Sequence, residues 1–270
     1  MGNVGKLDLR KGAHDWGLDG KHRRGGRVYY EEWGFTDGAD SAGKSDAYRG
    51  LDAPCDPYTA FLHRNGYVDL FRQGIQGNQS AATRGRGPLI TPLPDEAFDD
   101  NWVCGRAIEV IRSFPKDRPW FLQVNIPGPH APMIVTANMA KWYEDVAFSP
   151  PLALAGAAPD NYPTLRRHYA AMIENNDRWL GRFLDELKRR GELEHTIIAF
   201  SSDHGEMLGD HSLSGKTVPY QPSVGVPLVV SGFGIRRGYV HRGPATTLDL
   251  TATFLDFAGI SWASSIPARR

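Results

Sequence analysis

From about residue 95 onward, three short apolar runs alternate with three stretches of helical periodicity, and this alternation limits the fold more than any other feature. Phe98, Trp102, Val103, Ala107, Val110, Ile111 and Phe114 recur at helical spacing, with Asp95 as the expected N-cap and Pro115 directly after the last of them. The run Trp120-Phe121-Leu122-Gln123-Val124-Asn125-Ile126, set between prolines, reads as a strand. Leu165, Tyr169, Met172, Ile173, Leu180, Phe183, Leu184 and Leu187 mark a long amphipathic helix that Gly191 closes. Thr196–Phe200 and Val226–Val230 read as buried strands, and Thr247–Ala258 as a helix that stops at Gly259. Strands separated by crossover helices pair in parallel. The expected class is therefore α/β, with a mostly parallel sheet and helices on both faces.

The front of the chain has a different texture. Sixteen of the thirty glycines lie in residues 1–100, where neither a 3.6-residue nor a 2-residue period persists, so this part reads as long loops with short elements. The expected organisation is one partial domain over residues 1–270, loop-rich over 1–95 and regular α/β over 96–270. The run Lys21 to Arg27 reads as a solvated basic loop without a function. With 31 Lys+Arg against 31 Asp+Glu, the chain has no bulk charge that would draw nucleic acid. No apolar run approaches the roughly 18 residues of a membrane span. Cys55 and Cys104 are too few for a disulfide scaffold; Cys55 reads as a loop cysteine and Cys104 as a packed helical one.

Ligands of open α/β sheets bind beyond the carboxyl ends of the strands, so the segment just after each strand is where a site would sit. Pro127-Gly128-Pro129-His130-Ala131-Pro132 comes after the first apolar run, and Ser201-Ser202-Asp203-His204-Gly205-Glu206 after the second, with Asp210, His211 and Lys216 further on. Gly5-Lys6-Leu7-Asp8 stands near the start. Singly, Asp203 reads equally well as a helix cap, His130 as a hydrogen-bonded loop residue and Lys216 as a surface lysine. Together they have a chemical bias. A carboxylate beside an imidazole holds a divalent cation. Lysines and a further histidine supply positive charge and a proton donor for an anionic group in transfer. This equipment suits cleavage of a sulfate or phosphate ester. A serine-hydrolase elbow, a dinucleotide-binding glycine fingerprint and a functional P-loop are all expected to be missing.

Pro119-Trp120-Phe121-Leu122-Gln123-Val124 with Pro129-His130-Ala131-Pro132 is the first of three ordered segments. Tyr169-Ala170-Ala171-Met172-Ile173-Glu174-Asn175-Asn176-Asp177 is the second, and Ser202-Asp203-His204-Gly205-Glu206-Met207-Leu208-Gly209-Asp210-His211 the third. They resemble the arylsulfatase-type sulfatases of the alkaline phosphatase superfamily, in order, from about residue 118 to residue 260. Gly5-Lys6-x-Asp8-Leu9 is similar to that family's Gly-Lys-x-His-Leu motif. The resemblance implies an alkaline phosphatase-like fold and hydrolysis of a small-molecule or saccharide sulfate ester with a divalent metal, usually calcium. It makes Asp203 and His204 metal ligands. His130 and Lys216 become sulfate-binding residues, with His130 a proton donor to the leaving alcohol. Lys6 becomes the lysine that pairs with nucleophile and sulfate.

The sequence also departs from the family. Asp8 replaces a histidine that helps break down the covalent intermediate, and Gln221 and Gly225 stand where many members carry Glu and Arg. The family's nucleophile is a formylglycine made from Cys or Ser in a Cys/Ser-x-Pro-x-Arg motif upstream of the Gly-Lys motif, and two metal-binding aspartates come from its first strand. Cys55-Asp56-Pro57-Tyr58-Thr59 is a near miss, downstream of Lys6 and with Thr59 in place of Arg. The resemblance therefore implies a central fragment that lacks the first strand and the C-terminal subdomain, with Met1 not the true start and no turnover by the chain alone. A phosphodiester or phosphonate monoester hydrolase of the same superfamily and a non-catalytic sulfatase-like binding module are the alternatives. On the sulfatase reading, Lys6, His130, Asp203, His204 and Lys216 gather at the carboxyl edge of one parallel sheet.

Overall fold

Gly2-Asn3-Val4-Gly5, too short and too glycine-rich to announce itself as a strand, is the middle strand of a parallel sheet. The computed structural model describes residues 1–9, 14–76, 87–152 and 161–260. In chain order the elements are β1 (Gly2–Gly5), β2 (Arg23–Arg24), β3 (Arg27–Val28), α1 (Tyr29–Glu32), β4 (Asp37–Asp40), α2 (Gly43–Asp46), α3 (Pro57–Arg64), α4 (Val68–Gln76), β5 (Leu89–Thr91) and α5 (Asp99–Ser113). Then come β6 (Leu122–Asn125), β7 (Ile134–Thr136), α6 (Ala137–Lys141), α7 (Tyr162–Arg190), β8 (Ile197–Ser201), α8 (Gln221–Val224), β9 (Leu228–Gly232) and α9 (Thr247–Phe257). The chain divides into two units: Met1–Leu193 with Met207–Gly215, and Glu194–Glu206 with the segment from Lys216 onward.

In the first unit, β4, β1 and β6 pair in parallel, with Gly5 opposite Asp40 on one side and Asn125 on the other. All three strands therefore end at one edge. Val4 packs on Val103, Ala107, Val110 and Phe114 of the α5 region, so the apolar stripe read from the sequence is the stripe that covers the sheet. β5 and β7 form a second parallel pair. Around β7, Met133, Ile134, Val135 and Met139 pack on Phe98 and on Ala171 and Met172 of α7. A third cluster, Tyr58, Leu62, Phe71 and Leu93, buries α3 and α4. The long helix α7 runs as its periodicity predicts and stops at Gly191, which is left-handed at φ 75°.

Three expectations are corrected. Asp95 does not cap α5: it opens a 3₁₀ turn, and its carboxylate accepts bonds from Thr136 and Asn138, while Phe98 holds the N-cap position without a side-chain bond. The physical reason is that Asp95 lies one turn too early to reach the free amides of α5. The basic run is an exposed antiparallel hairpin, β2 with β3, and not a plain loop; His22 within it is buried. In the second unit, β8 and β9 pair antiparallel, with Ile197 opposite Gly232 and Ser201 opposite Leu228, and Val229 is 58% exposed. A two-stranded pair leaves side chains open that a wider, covered sheet would bury.

The interior of the first unit holds charge. The Lys44 side chain, 5% exposed, lies 3.6 Å from Asp100, 3.3 Å from the Met172 sulfur and over the Phe98 ring. Neither oxygen of the neighbouring buried Asp99 has a hydrogen-bond partner among the described residues. Burial, reinforced by the Asp100 charge, raises the Asp99 carboxyl well above the usual carboxylate range.

Candidate active site

At the carboxyl end of β8 the chain leaves the sheet through Ser202 and turns sharply. The Asp203 carboxylate accepts the His204 backbone N–H at 3.0 Å, and the Ser202 hydroxyl donates to the His204 carbonyl at 2.9 Å. Gly205 lies directly on α8: its N–H donates to the Ser223 carbonyl, and a Cβ there would sit 2.0 Å from the Pro222 oxygen. Only glycine fits that approach. The His204 ring is fixed at both nitrogens. Nδ1 donates to the Gly205 carbonyl at 2.8 Å, and the Lys216 ammonium donates to Nε2 at 2.5 Å. The Asp203 carboxylate, 83% exposed, lies 3.3 Å from the same Nε2. Three of the five sequence-predicted residues, Asp203, His204 and Lys216, are therefore in mutual contact within the second unit.

Lys6 and His130 belong to the first unit and to one edge of its parallel sheet, because they come just after the adjacent strands β1 and β6. The Lys6 ammonium pairs with Asp8 at 3.2 Å. Asp8 takes left-handed backbone at φ 56°, which is uncommon outside glycine and asparagine and turns its carboxylate back on the lysine. His130 sits on the turn Pro127–His130, whose Gly128 is held from two sides. The Asp100 carboxylate accepts the Gly128 N–H at 2.8 Å, and the Asn176 amide donates to the Gly128 carbonyl at 3.0 Å. The His130 Nδ1 donates to the Ala131 carbonyl, which assigns proton exchange to Nε2.

A divalent cation is the group that the resemblance calls for, and the residues present fall short of it. Asp203 and His204 offer two donors, and Lys216 already occupies the nitrogen that a metal would take. Among the described residues no group of three His, Cys, Asp or Glu side chains is placed to hold a metal. Calcium takes about 6–8 oxygens. Calorimetric titration of this chain with CaCl₂ is accordingly expected to show no tight stoichiometric binding; a sharp one-to-one isotherm would reveal ligands beyond this pair, with Asp210 and Asp8 the first to substitute.

Two further motifs are resolved by their surroundings. Gly38-Ala39-Asp40-Ser41-Ala42-Gly43-Lys44-Ser45 matches the phosphate-binding P-loop pattern letter for letter, yet its lysine is buried on Asp100, its serine donates to the Ala131 carbonyl, and its helix α2 has four residues. The pattern here builds a core, not a nucleotide cradle. Cys55-Asp56-Pro57-Tyr58-Thr59 is the start of α3: Asp56 and Thr59 form a capping box and Pro57 fills the first turn. Burial raises the Cys55 thiol pKa, which makes it a poor nucleophile. Cys104 is buried in α5, as read. Ser265-Ile266-Pro267-Ala268-Arg269 is a literal match to the nucleophile pattern that the sequence reading passes over; it comes after every other motif and lies outside the described residues.

The sulfatase family model matches residues 30–260. An arylsulfatase from Clostridium perfringens is 30% identical over 237 residues, covering 78% of this chain and 48% of the relative. A choline-sulfatase from Rhizobium meliloti is 34% identical over 168 residues, covering 53% of this chain and 32% of the relative. Among solved structures, a phosphonate monoester hydrolase from Silicibacter pomeroyi superposes with a TM-score of 0.64 at 24% identity, over 79% of this chain and 51% of that one, which establishes a shared fold. The chain spans about half or less of the length of these proteins. Members of this superfamily work with divalent metals. With the family model matched over most of its length, the chain belongs to the sulfatase family.

Proposed function

We propose that the chain carries the anion-handling part of a sulfuric ester hydrolase. Lys6 and His130 of the first unit and Lys216 of the second each have the role of a sulfate-binding residue, and His130 that of proton donor to the leaving alcohol. The observation that carries this reading is the contact of Lys216 with His204 beside Asp203, directly beyond β8. An ammonium and a carboxylate on either side of an imidazole supply fixed charges of the kind that stabilise a developing ester oxygen. The positions of Lys6 and His130, beyond the ends of adjacent parallel strands, lend independent support. Asp203 and His204 are a partial cation site, with calcium the ion, and reach full coordination only with further oxygen ligands. The substrate is a sulfate ester of a small alcohol or a saccharide. The chain by itself binds such an ester without turning it over, because Cys55, the near match to the nucleophile motif, has its thiol pKa raised by burial.

The test uses 4-nitrophenyl sulfate and the matching phenylphosphonate ester. Saturable calorimetric binding, tighter for the sulfate, with no nitrophenol released, is the expected outcome. Tighter binding of the phosphonate would favour the sister activity. Nitrophenol release that disappears in Ser265→Ala would assign the nucleophile to Ser265 and overturn the statement on turnover.

A further inference from the structure

The path of Lys6-Leu7-Asp8 is dictated by the strand next door. Lys6 N–H donates to the Asn125 carbonyl at 3.1 Å, as the parallel ladder requires, but the Leu7 N–H leaves the ladder and donates to the Asp40 carboxylate at 2.8 Å. The aliphatic stem of Lys6 crosses Gly43, where a Cβ would lie 2.8 Å from Lys6 Cδ. Asp40, at the end of β4, is 2% exposed, and its second oxygen is 2.7 Å from Nε2 of His22, which is also 2% exposed. The other ring nitrogen of His22 is 3.1 Å from Asp15. The Trp33 and Trp16 rings lie 5.0 and 6.4 Å from the imidazole.

A carboxylate only accepts hydrogen bonds. A ring whose two nitrogens both face carboxylates bonds to both only as the imidazolium, with a proton on each nitrogen. His22 is thus a buried cation that ties the segment around Asp15, downstream of the Lys6 loop, to the carboxylate that holds the Leu7 amide. It has no part in the chemistry proposed above.

We propose that His22 is a positioning residue: as an imidazolium it locks Asp40 onto the Leu7 amide, fixes the Lys6–Asp8 turn for anion binding, and releases that turn when it loses its proton. The consequence for the ester rests on the proposed role of Lys6; the lock itself does not. Asp40 from β4, Asp15 and Trp16 from the preceding segment, and Trp33 after α1 are the groups that face His22; burial raises the Asp40 carboxyl from its ordinary value against the lowering bonds from His22 and Leu7, and the Asp8 charge adds to the rise. Burial works to lower the His22 pKa, but the bonds to Asp40 and Asp15 outweigh it and the net shift is upward. A raised folded-state value means that the lock is complete below the ordinary histidine value of about 6.5 and is lost as pH rises through the raised value.

The experiment is a pH titration of the full chain monitored by ¹H–¹⁵N NMR, reading the His22 ring nitrogens and the Leu7 amide without any ester present. Both ring nitrogens are expected to be protonated at neutral pH, and the Leu7 amide to shift with the same midpoint as the ring, above about 6.5. Asp15→Asn should lower that midpoint, with the Leu7 amide tracking it, and His22→Gln should abolish the Leu7 step. A Leu7 amide that stays flat while His22 titrates, or a step that survives in His22→Gln, would overturn the proposal. If His22→Gln fails to fold, the shared midpoint in wild type and Asp15→Asn decides the matter alone. Failure of ester binding would leave this readout untouched, whereas a pH midpoint for 4-nitrophenyl sulfate affinity that moves down in Asp15→Asn joins the two.

Discussion

Lys44→Ala is expected to destabilise the chain by about 3–5 kcal/mol, because it strips the ammonium from a buried carboxylate and leaves that charge uncompensated. Natural domains of this size unfold with only about 5–15 kcal/mol, so the variant should lose about a fifth or more of its stability. The loss has a structural address. Asp100 holds both the Lys44 ammonium and the Gly128 amide, so an unpaired Asp100 also loosens the turn that carries His130. Urea unfolding of Lys44→Ala, Asp100→Asn and the double variant Lys44→Met/Asp100→Asn separates these effects. The double variant removes both charges, keeps the volume and leaves an amide oxygen for Gly128, and should recover most of the lost stability. A Lys44→Ala midpoint equal to wild type would mean that the pair contributes nothing.

How much of this was legible in the sequence depended on period length. The helix α7, with eight turns of apolar spacing and a glycine stop, could be read directly, as could α9 and the two strands of the second unit. β1 could not. It has four residues, two of them glycine, and its buried polar member Asn3 is matched by the Asn125 amide across the sheet, a pairing with no local signal. Burial on both faces also erases the alternation that marks a half-exposed strand. The antiparallel β8–β9 pair escaped for the opposite reason: two good strands say nothing about which way they meet.

The chemistry-bearing residues divide in the same way. Asp203, His204 and Lys216 lie close in sequence, and their convergence beyond β8 results from one turn. His22 and Lys44 were hidden by company, the first inside a run of exposed arginines and the second inside a P-loop pattern that the fold does not use. The signal that would have found Lys44 is the doublet Asp99-Asp100 on the same helix as Val103, Ala107 and Val110, where two acids on an apolar stripe demand a cation.

Lys216→Ala should have the largest effect on ligand binding. A charge-assisted hydrogen bond to an anion contributes roughly 1.5–3 kcal/mol, so affinity for a sulfate ester should fall about 10- to 100-fold while the fold is retained. Lys6→Ala should weaken binding by a similar factor and also free Asp8 from its ion pair. The most direct measurement is therefore calorimetric titration of 4-nitrophenyl sulfate into the wild-type chain and these two variants at one pH and ionic strength. One binding event per chain, weakened about tenfold or more by each substitution, is the predicted result; no binding to the wild type, or binding that neither substitution weakens, would contradict the assignment of these lysines to the sulfate group.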